Sequence, residues 1–191
     1  MAAVKKFSKV YIICVLVFAV VIGAFFMVRA IFPLKYAEFI VIYSAKHNLN
    51  PYLVTAVIKA ESGFDPSAHS KADAIGLMQI TLGTGANIHE KIHGTTKDFE
   101  SEILYDPEIN IQYGTWYLSW LSSQFDGNIE NILAAYNAGI GNVNKWLDDE
   151  KYSSDGETLE NIPFEETDNF VNRVKLYRDV YSCLYGVDLV I

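Results

Sequence analysis

The sequence predicts a mainly α-helical protein, in which an apolar N-terminal helix precedes a single helical domain. Three observations carry that expectation. From Val10 to Val28 there are 19 residues without a charge. Beyond them, Asn50-Pro51 and Asp106-Pro107 each place a capping side chain ahead of proline, and apolar residues follow at spacings of three and four. No stretch shows the sustained alternation of a strand.

As a helix, the charge-free run spans roughly 28 Å, against a bilayer hydrocarbon core of ~30 Å. It is longer than the roughly 7–15 apolar residues of a cleaved signal peptide, and it ends in Met27, Val28 and Arg29 instead of small residues. An uncleaved anchor is therefore expected over residues 10–31. Lys5, Lys6 and Lys9 precede it and only Arg29 and Lys35 follow closely, a bias that keeps residues 1–9 in the cytoplasm and turns residues 32–191 outward.

The outer part reads as helices joined by polar turns. Leu34–Leu49 is amphipathic. Asn50 and Pro51 open a helix carrying Leu53, Val54, Val57, Ile58 and Glu61, with Gly63 as its stop. A loop from Phe64 to Gly76 leads to the apolar run Leu77–Ile80 and a short helix within Thr81–His93. After Asp106 and Pro107, the stripe Ile109, Tyr113, Trp116, Tyr117, Trp120 and Leu121 is expected to be a buried face. Asn128 caps a helix with Ile132, Leu133 and Tyr136 before Gly139, and a last long helix runs from about Thr167 to Tyr185.

Composition excludes several functions. The outer part carries 11 basic and 23 acidic residues, a formal net charge of −12, so nucleic acid is not an expected partner. Cys14 lies within the apolar run and Cys183 is alone beyond it, so no disulfide is expected; a domain of this size can stabilise itself by apolar burial. Neither a phosphate loop nor a dinucleotide-binding glycine pattern is present. His89 and His93 share the spacing of half a zinc site but lack the intervening glutamate of the metalloprotease helix, and they read as exposed surface histidines. The acidic run Asp148–Asp168 reads as a solvated loop, with no recognisable calcium-loop spacing.

Glu61 stands apart because it occupies an apolar helix end. Burial and the carbonyl end of the helix dipole both disfavour its anion, which keeps a proton available near neutral pH. Taken alone, a solvated surface glutamate fits the same position.

Four ordered segments change the balance. Glu61-Ser62-Gly63-Phe64-Asp65-Pro66, Gly76-Leu77-Met78-Gln79, Ala134-Ala135-Tyr136-Asn137-Ala138-Gly139 and Ile162-Pro163-Phe164-Glu165-Glu166-Thr167 together resemble the soluble lytic transglycosylase family, which is related to goose-type lysozyme. The resemblance covers about Leu34 to Tyr185 and implies a lysozyme-like helical catalytic domain. It implies that Glu61 is the catalytic acid and base and that Tyr136 is a second catalytic residue, its hydroxyl near that carboxylate to orient or stabilise the cleaving centre. Ser70, Gln79, Met78, Asn137 and Glu166 become expected substrate-binding residues, although Met78 and Asn137 fit packing or turn roles equally well. Two positions depart from the family pattern: Asp73 stands where a glycine is usual, and Leu82 replaces a proline.

In the family the glutamate protonates the oxygen between N-acetylmuramic acid and N-acetylglucosamine, then takes a proton from the muramyl primary hydroxyl, which closes an anhydro ring. The implied partner is the peptidoglycan glycan strand, with cell-wall machinery a second class and the membrane engaged through the N-terminal helix. No metal or organic cofactor is required. A tethered nucleophile has a high effective concentration, which makes a second carboxylate dispensable. The alternatives are a lysozyme-type hydrolase, in which Asp65 or Asp73 activates water, and a non-catalytic glycan-binding protein.

Overall fold

Residues 2–186 and Leu189 are described by a computed structural model, with side chains from Tyr11 onward. The side chains of Lys5, Lys6 and Lys9 lie outside the described residues, as do Val187, Asp188, Val190 and Ile191 at the end of the expected domain. The chain divides into two units, Met1–Leu34 and Lys35–Ile191.

The first unit holds helix α1, Ala2–Ile31. Its 21-residue segment Tyr11–Ile31 reaches a mean hydropathy of 2.9 over an 18-residue window, long and apolar enough to cross a membrane.

In the second unit the capping signals act where the sequence puts them. Helix α2 is Ala37–Lys46, and helix α3 is Pro51–Glu61. The Asn50 side chain accepts from the main-chain N–H of Tyr52 at 2.8 Å, satisfying one of the donors a helix start leaves open. Helix α3 buries Leu53, Val54, Ala56, Val57 and Ile58, and closes with Glu61 as its last residue. Helix α4 is Leu82–His93, capped by Thr81. A 3₁₀ helix, Ser101–Tyr105, leads into α5, Pro107–Gln124, where Asp106 accepts from the N–H of Ile109 at 3.0 Å. Asn128 caps α6, Ile129–Ala138; α7 is Ile140–Leu147 and α8 is Glu165–Tyr185. Helix α8 lies along α3 and also meets α6, which in turn packs on α5 and α7. The middle of α3 is thereby buried, and Lys59 and Glu61 in its last turn are half-buried.

Three features differ from expectation. Ala74–Ile75 (β1) and Ile80–Thr81 (β2) pair antiparallel, with Ile75 opposite Ile80. Strands of two residues are too short for alternation to register. Helix α7 follows α6 after a single glycine, Gly139 at φ 86°, and buries Val143 and Trp146. The α5 stripe is split: Tyr113 and Leu121 are buried, but Ile109, Trp116, Tyr117 and Trp120 keep part of their surface exposed. The core face of α5 is instead Asn110, Ile111, Tyr113, Gly114, Thr115, Leu118 and Leu121.

Candidate active site

The last turn of α3 places Glu61 where α8 passes alongside. Burial dominates its electrostatics, pushing its pKa up to about 8; nearby Glu166 pushes the same way and Arg173 opposes both. The group is a protonated carboxylic acid at neutral pH. The following residue fixes its surroundings, because the Ser62 hydroxyl donates to the Leu77 carbonyl at 2.8 Å and ties the end of α3 to the turn between the two strands.

That turn, Gly76 to Gln79, is organised from beneath by a residue the sequence reading did not single out. Asn110 is fully buried on α5. Its side-chain oxygen accepts from the Met78 N–H at 2.7 Å, and its amide donates to the Ile75 and Leu104 carbonyls at 2.9 and 2.7 Å. An asparagine amid the apolar face of a helix was the available signal, since a buried amide must find partners. Gly76 explains the tight approach: at φ 78°, a Cβ there would stand 2.4 Å from the Leu104 carbonyl oxygen. Gly114 does the same for Met78, whose Sδ would lie 2.2 Å from an added Cβ.

Met78 is therefore corrected as a substrate-binding residue. Its side chain is fully buried, and what it offers the site is its backbone. The Met78 carbonyl accepts from the Tyr136 hydroxyl at 2.7 Å. Tyr136 stacks on Phe170 at 6.5 Å between ring centroids and lies 5.5 Å from Tyr117. Burial and then the neighbouring Glu61 raise its pKa well above the ordinary value, so it stays a neutral phenol.

Gln79 takes a left-handed backbone, φ 49°, and its amide nitrogen donates to the Gly76 and Ala68 carbonyls at 2.9 and 3.2 Å. Its side-chain oxygen accepts no hydrogen bond from the described residues. Gln79, Tyr136 and Asn137 line one cleft of about 270 Å³ together with Thr81, Thr84 and Tyr117. The Asn137 side-chain oxygen accepts from Thr167 at 2.8 Å, which joins α6 to the first turn of α8 beside Glu166. Glu166 itself is exposed.

Known proteins share the sequence and fold of this domain. Residues 38–158 match the family described as the transglycosylase SLT domain. The chain belongs to that family. Over 156 residues it is 34% identical to the soluble lytic murein transglycosylase of Escherichia coli K12, covering 81% of this chain and 24% of that protein. Over 116 residues it is 34% identical to membrane-bound lytic murein transglycosylase C of Yersinia pestis, covering 57% of this chain and 32% of that one. The lytic transglycosylase Slt of Pseudomonas aeruginosa, solved as an inactive glutamate-to-glutamine mutant, superposes with a TM-score of 0.71 at 33% identity over 84% of this chain and 26% of that one. The 70-kDa soluble lytic transglycosylase in complex with bulgecin A gives 0.70 at 32% identity over 83% and 26%. The chain spans about a quarter to a third of the length of these curated relatives.

Glu61, Ser70, Met78, Gln79, Tyr136 and Asn137 fall inside the matched SLT span, and Glu166 lies beyond it. Ser70 serves its own loop here, its hydroxyl accepting from the N–H of Ala72 and Ala74 at 3.2 and 3.1 Å. The two departures are absorbed by the SLT fold. Asp73 takes the left-handed conformation, φ 56°, that a glycine would take freely, and its carboxylate pairs with His69 Nε2 at 3.1 Å. Leu82 is the first residue of α4, where proline fits well but is not required. Asp65 turns to the Ser67 hydroxyl at 2.7 Å, so neither aspartate is among the charges acting on Glu61. His89 is another correction: it is buried, and its Nδ1 meets the Tyr113 hydroxyl at 2.7 Å, leaving only His93 of the pair exposed.

Proposed function

We propose that this SLT domain cleaves the bond between N-acetylmuramic acid and N-acetylglucosamine in peptidoglycan, leaving an anhydromuramyl end. The observation that carries the reading is Glu61, a carboxyl group held protonated by burial in the last turn of α3 and close enough to Tyr136 of the cleft to act on its hydroxyl. Such a group donates its proton to the leaving oxygen as the bond breaks. The resulting carboxylate recovers a proton from the muramyl primary hydroxyl as that oxygen attacks the anomeric carbon. Tethering supplies the nucleophile that a second carboxylate would otherwise have to activate.

Gln79, through its free side-chain oxygen, Asn137 and Glu166 hold the glycan, and Tyr136 positions the Met78–Gln79 turn against the cleft. Ser70 contributes by shaping the loop before β1. Residues 10–31 anchor the domain as a single span with residues 1–9 in the cytoplasm, which puts residues 32–191 on the wall side. The long uncharged run and its flanking lysines support that topology.

Incubating purified peptidoglycan with the full chain in detergent tests the activity. Soluble glycan fragments are expected from the wild type and not from Glu61→Gln. Equal release by both proteins would remove Glu61 from the mechanism. Protease added outside intact cells tests the topology: it should digest the helical domain, and protection of that domain would reverse the orientation.

A further inference from the structure

Helix α8 carries three basic residues, Arg173, Lys175 and Arg178, and two of them have acidic partners. Lys175 pairs with Glu130 of α6, and Arg178 pairs with Asp179 at 2.9 Å. Arg173 is exposed and has no hydrogen-bond or salt-bridge partner among the described residues.

The phase of the helix decides where that charge points its field. Glu166, Phe170 and Arg173 follow one another at spacings of four and three, which puts them on one face of α8. Phe170 fixes what this face meets, because its ring stacks on Tyr136 at an interplanar angle of 5°. Helix α8 also runs along α3. Glu166 and Arg173 both act on the Glu61 carboxyl, which therefore lies alongside the two turns of α8 between them, a length of about 10 Å. The charged and titratable groups facing Glu61 are these two and the neutral Tyr136 phenol of α6.

The chemistry of Glu61 calls for such a cation. Burial favours the carboxylic acid that gives its proton to the leaving oxygen, and for the same reason it penalises the carboxylate left behind. Glu166 adds to that penalty. A guanidinium keeps its charge at every working pH and offsets part of it, so the carboxylate persists until it takes the muramyl hydroxyl proton.

We propose that Arg173 is a positioning residue for the cleavage: its guanidinium faces Glu61 and stabilises the carboxylate between the two proton transfers, exchanging no proton itself. The inference rests on the proposed glycan cleavage. Its test measures kcat and KM against pH on peptide-free glycan strands, for the full chain in detergent and for Arg173→Gln and Arg173→Lys. Alongside, the melting-temperature difference made by Glu61→Gln is followed across pH, with and without Arg173→Gln.

Without the cation Glu61 holds its proton more firmly. Arg173→Gln should therefore lower kcat about tenfold with KM little changed, and carry the high-pH limit of activity to higher pH. The pH at which Glu61→Gln stops gaining stability on its parent should move up as well. Arg173→Lys, which keeps the charge, should restore most of each. An unchanged kcat and limit in Arg173→Gln overturns the proposal and leaves the cleavage reading intact. A fall in kcat with neither the limit nor the melting window moved makes the loss structural and overturns it too. A rise in KM alone assigns the guanidinium to the substrate and overturns it. A wild type that cleaves nothing, its melting window still moved by Arg173→Gln, overturns the cleavage reading and leaves Arg173 as the counter-charge of Glu61.

Discussion

The Tyr136 hydroxyl donates a 2.7 Å hydrogen bond to the main-chain carbonyl of Met78, joining the end of α6 to the turn that presents Gln79. The phenol therefore acts on the cleft through the backbone of a residue whose side chain is wholly in the core.

Tyr136→Phe keeps the ring stacked on Phe170 and leaves the Met78 carbonyl without this partner. The expected cost is about 1 kcal/mol, read as a melting temperature lower by roughly 2–4 °C for a chain of this size. Turnover should fall about tenfold, roughly 1.4 kcal/mol of barrier, because the Gln79 turn loosens. Thermal melts and kinetics on one purified variant check both, and unchanged values for the two would remove the bond from the site's design.

Asn110 satisfies the Met78 N–H and two carbonyls at once. Asn110→Asp keeps an acceptor for Met78 but sets a carboxylate against the Ile75 and Leu104 carbonyls. Each buried group left without a partner costs about 1–3 kcal/mol, so denaturant unfolding should show one of the larger losses among single substitutions in the domain. A midpoint equal to wild type would contradict the packing described for the turn.

Gly114→Ala places a methyl against Met78 Sδ and Cβ, where the added carbon would stand 2.2 and 2.9 Å away. Overpacking of this kind costs about 1–3 kcal/mol. The strain falls on the same turn, so activity should drop together with stability. A variant that loses stability while keeping full turnover would show that α5 yields and the turn does not move.

Glu61 gives two pH dependences. Its pKa is about 8 in the folded protein against an ordinary 4.5, so the folded state binds the proton more tightly than the unfolded one. This contribution to stability is complete below pH 4.5, is lost progressively as pH rises from 4.5 to about 8, and changes no further above that. Glu61→Gln lacks the titration, so its melting temperature relative to wild type should climb across that window. Activity should fall as pH passes about 8 and the acid form disappears. A constant difference between the two melting curves from pH 4 to 9 would contradict a buried, protonated Glu61.

Much of the helical frame was legible because capping is local. Asn50-Pro51, Asp106-Pro107 and Asn128 act within three residues of themselves, and each helix starts where they place it. The position of Glu61 followed from the same signal. The roles of Met78 and Asn110 were not legible, because they arise from a pairing across 32 residues that no periodicity encodes. The α5 aromatics misled for a related reason: spacing identifies a shared face but not what covers it. Trp116 and Trp120 share their face with a cavity, whereas Leu118 and Leu121 meet the core. The β1–β2 hairpin is held by left-handed Gly76 and Gln79 and by bonds from Asn110, not by strand propensity.

Intramolecular cleavage driven by Glu61 is tested most directly by the mass of the fragments released from purified peptidoglycan. Muropeptides lighter by one water than their hydrolysed counterparts are expected, as anhydro ends require, and none above background from Glu61→Gln. Fragments with ordinary reducing ends, or release by Glu61→Gln within about tenfold of wild type, would contradict it.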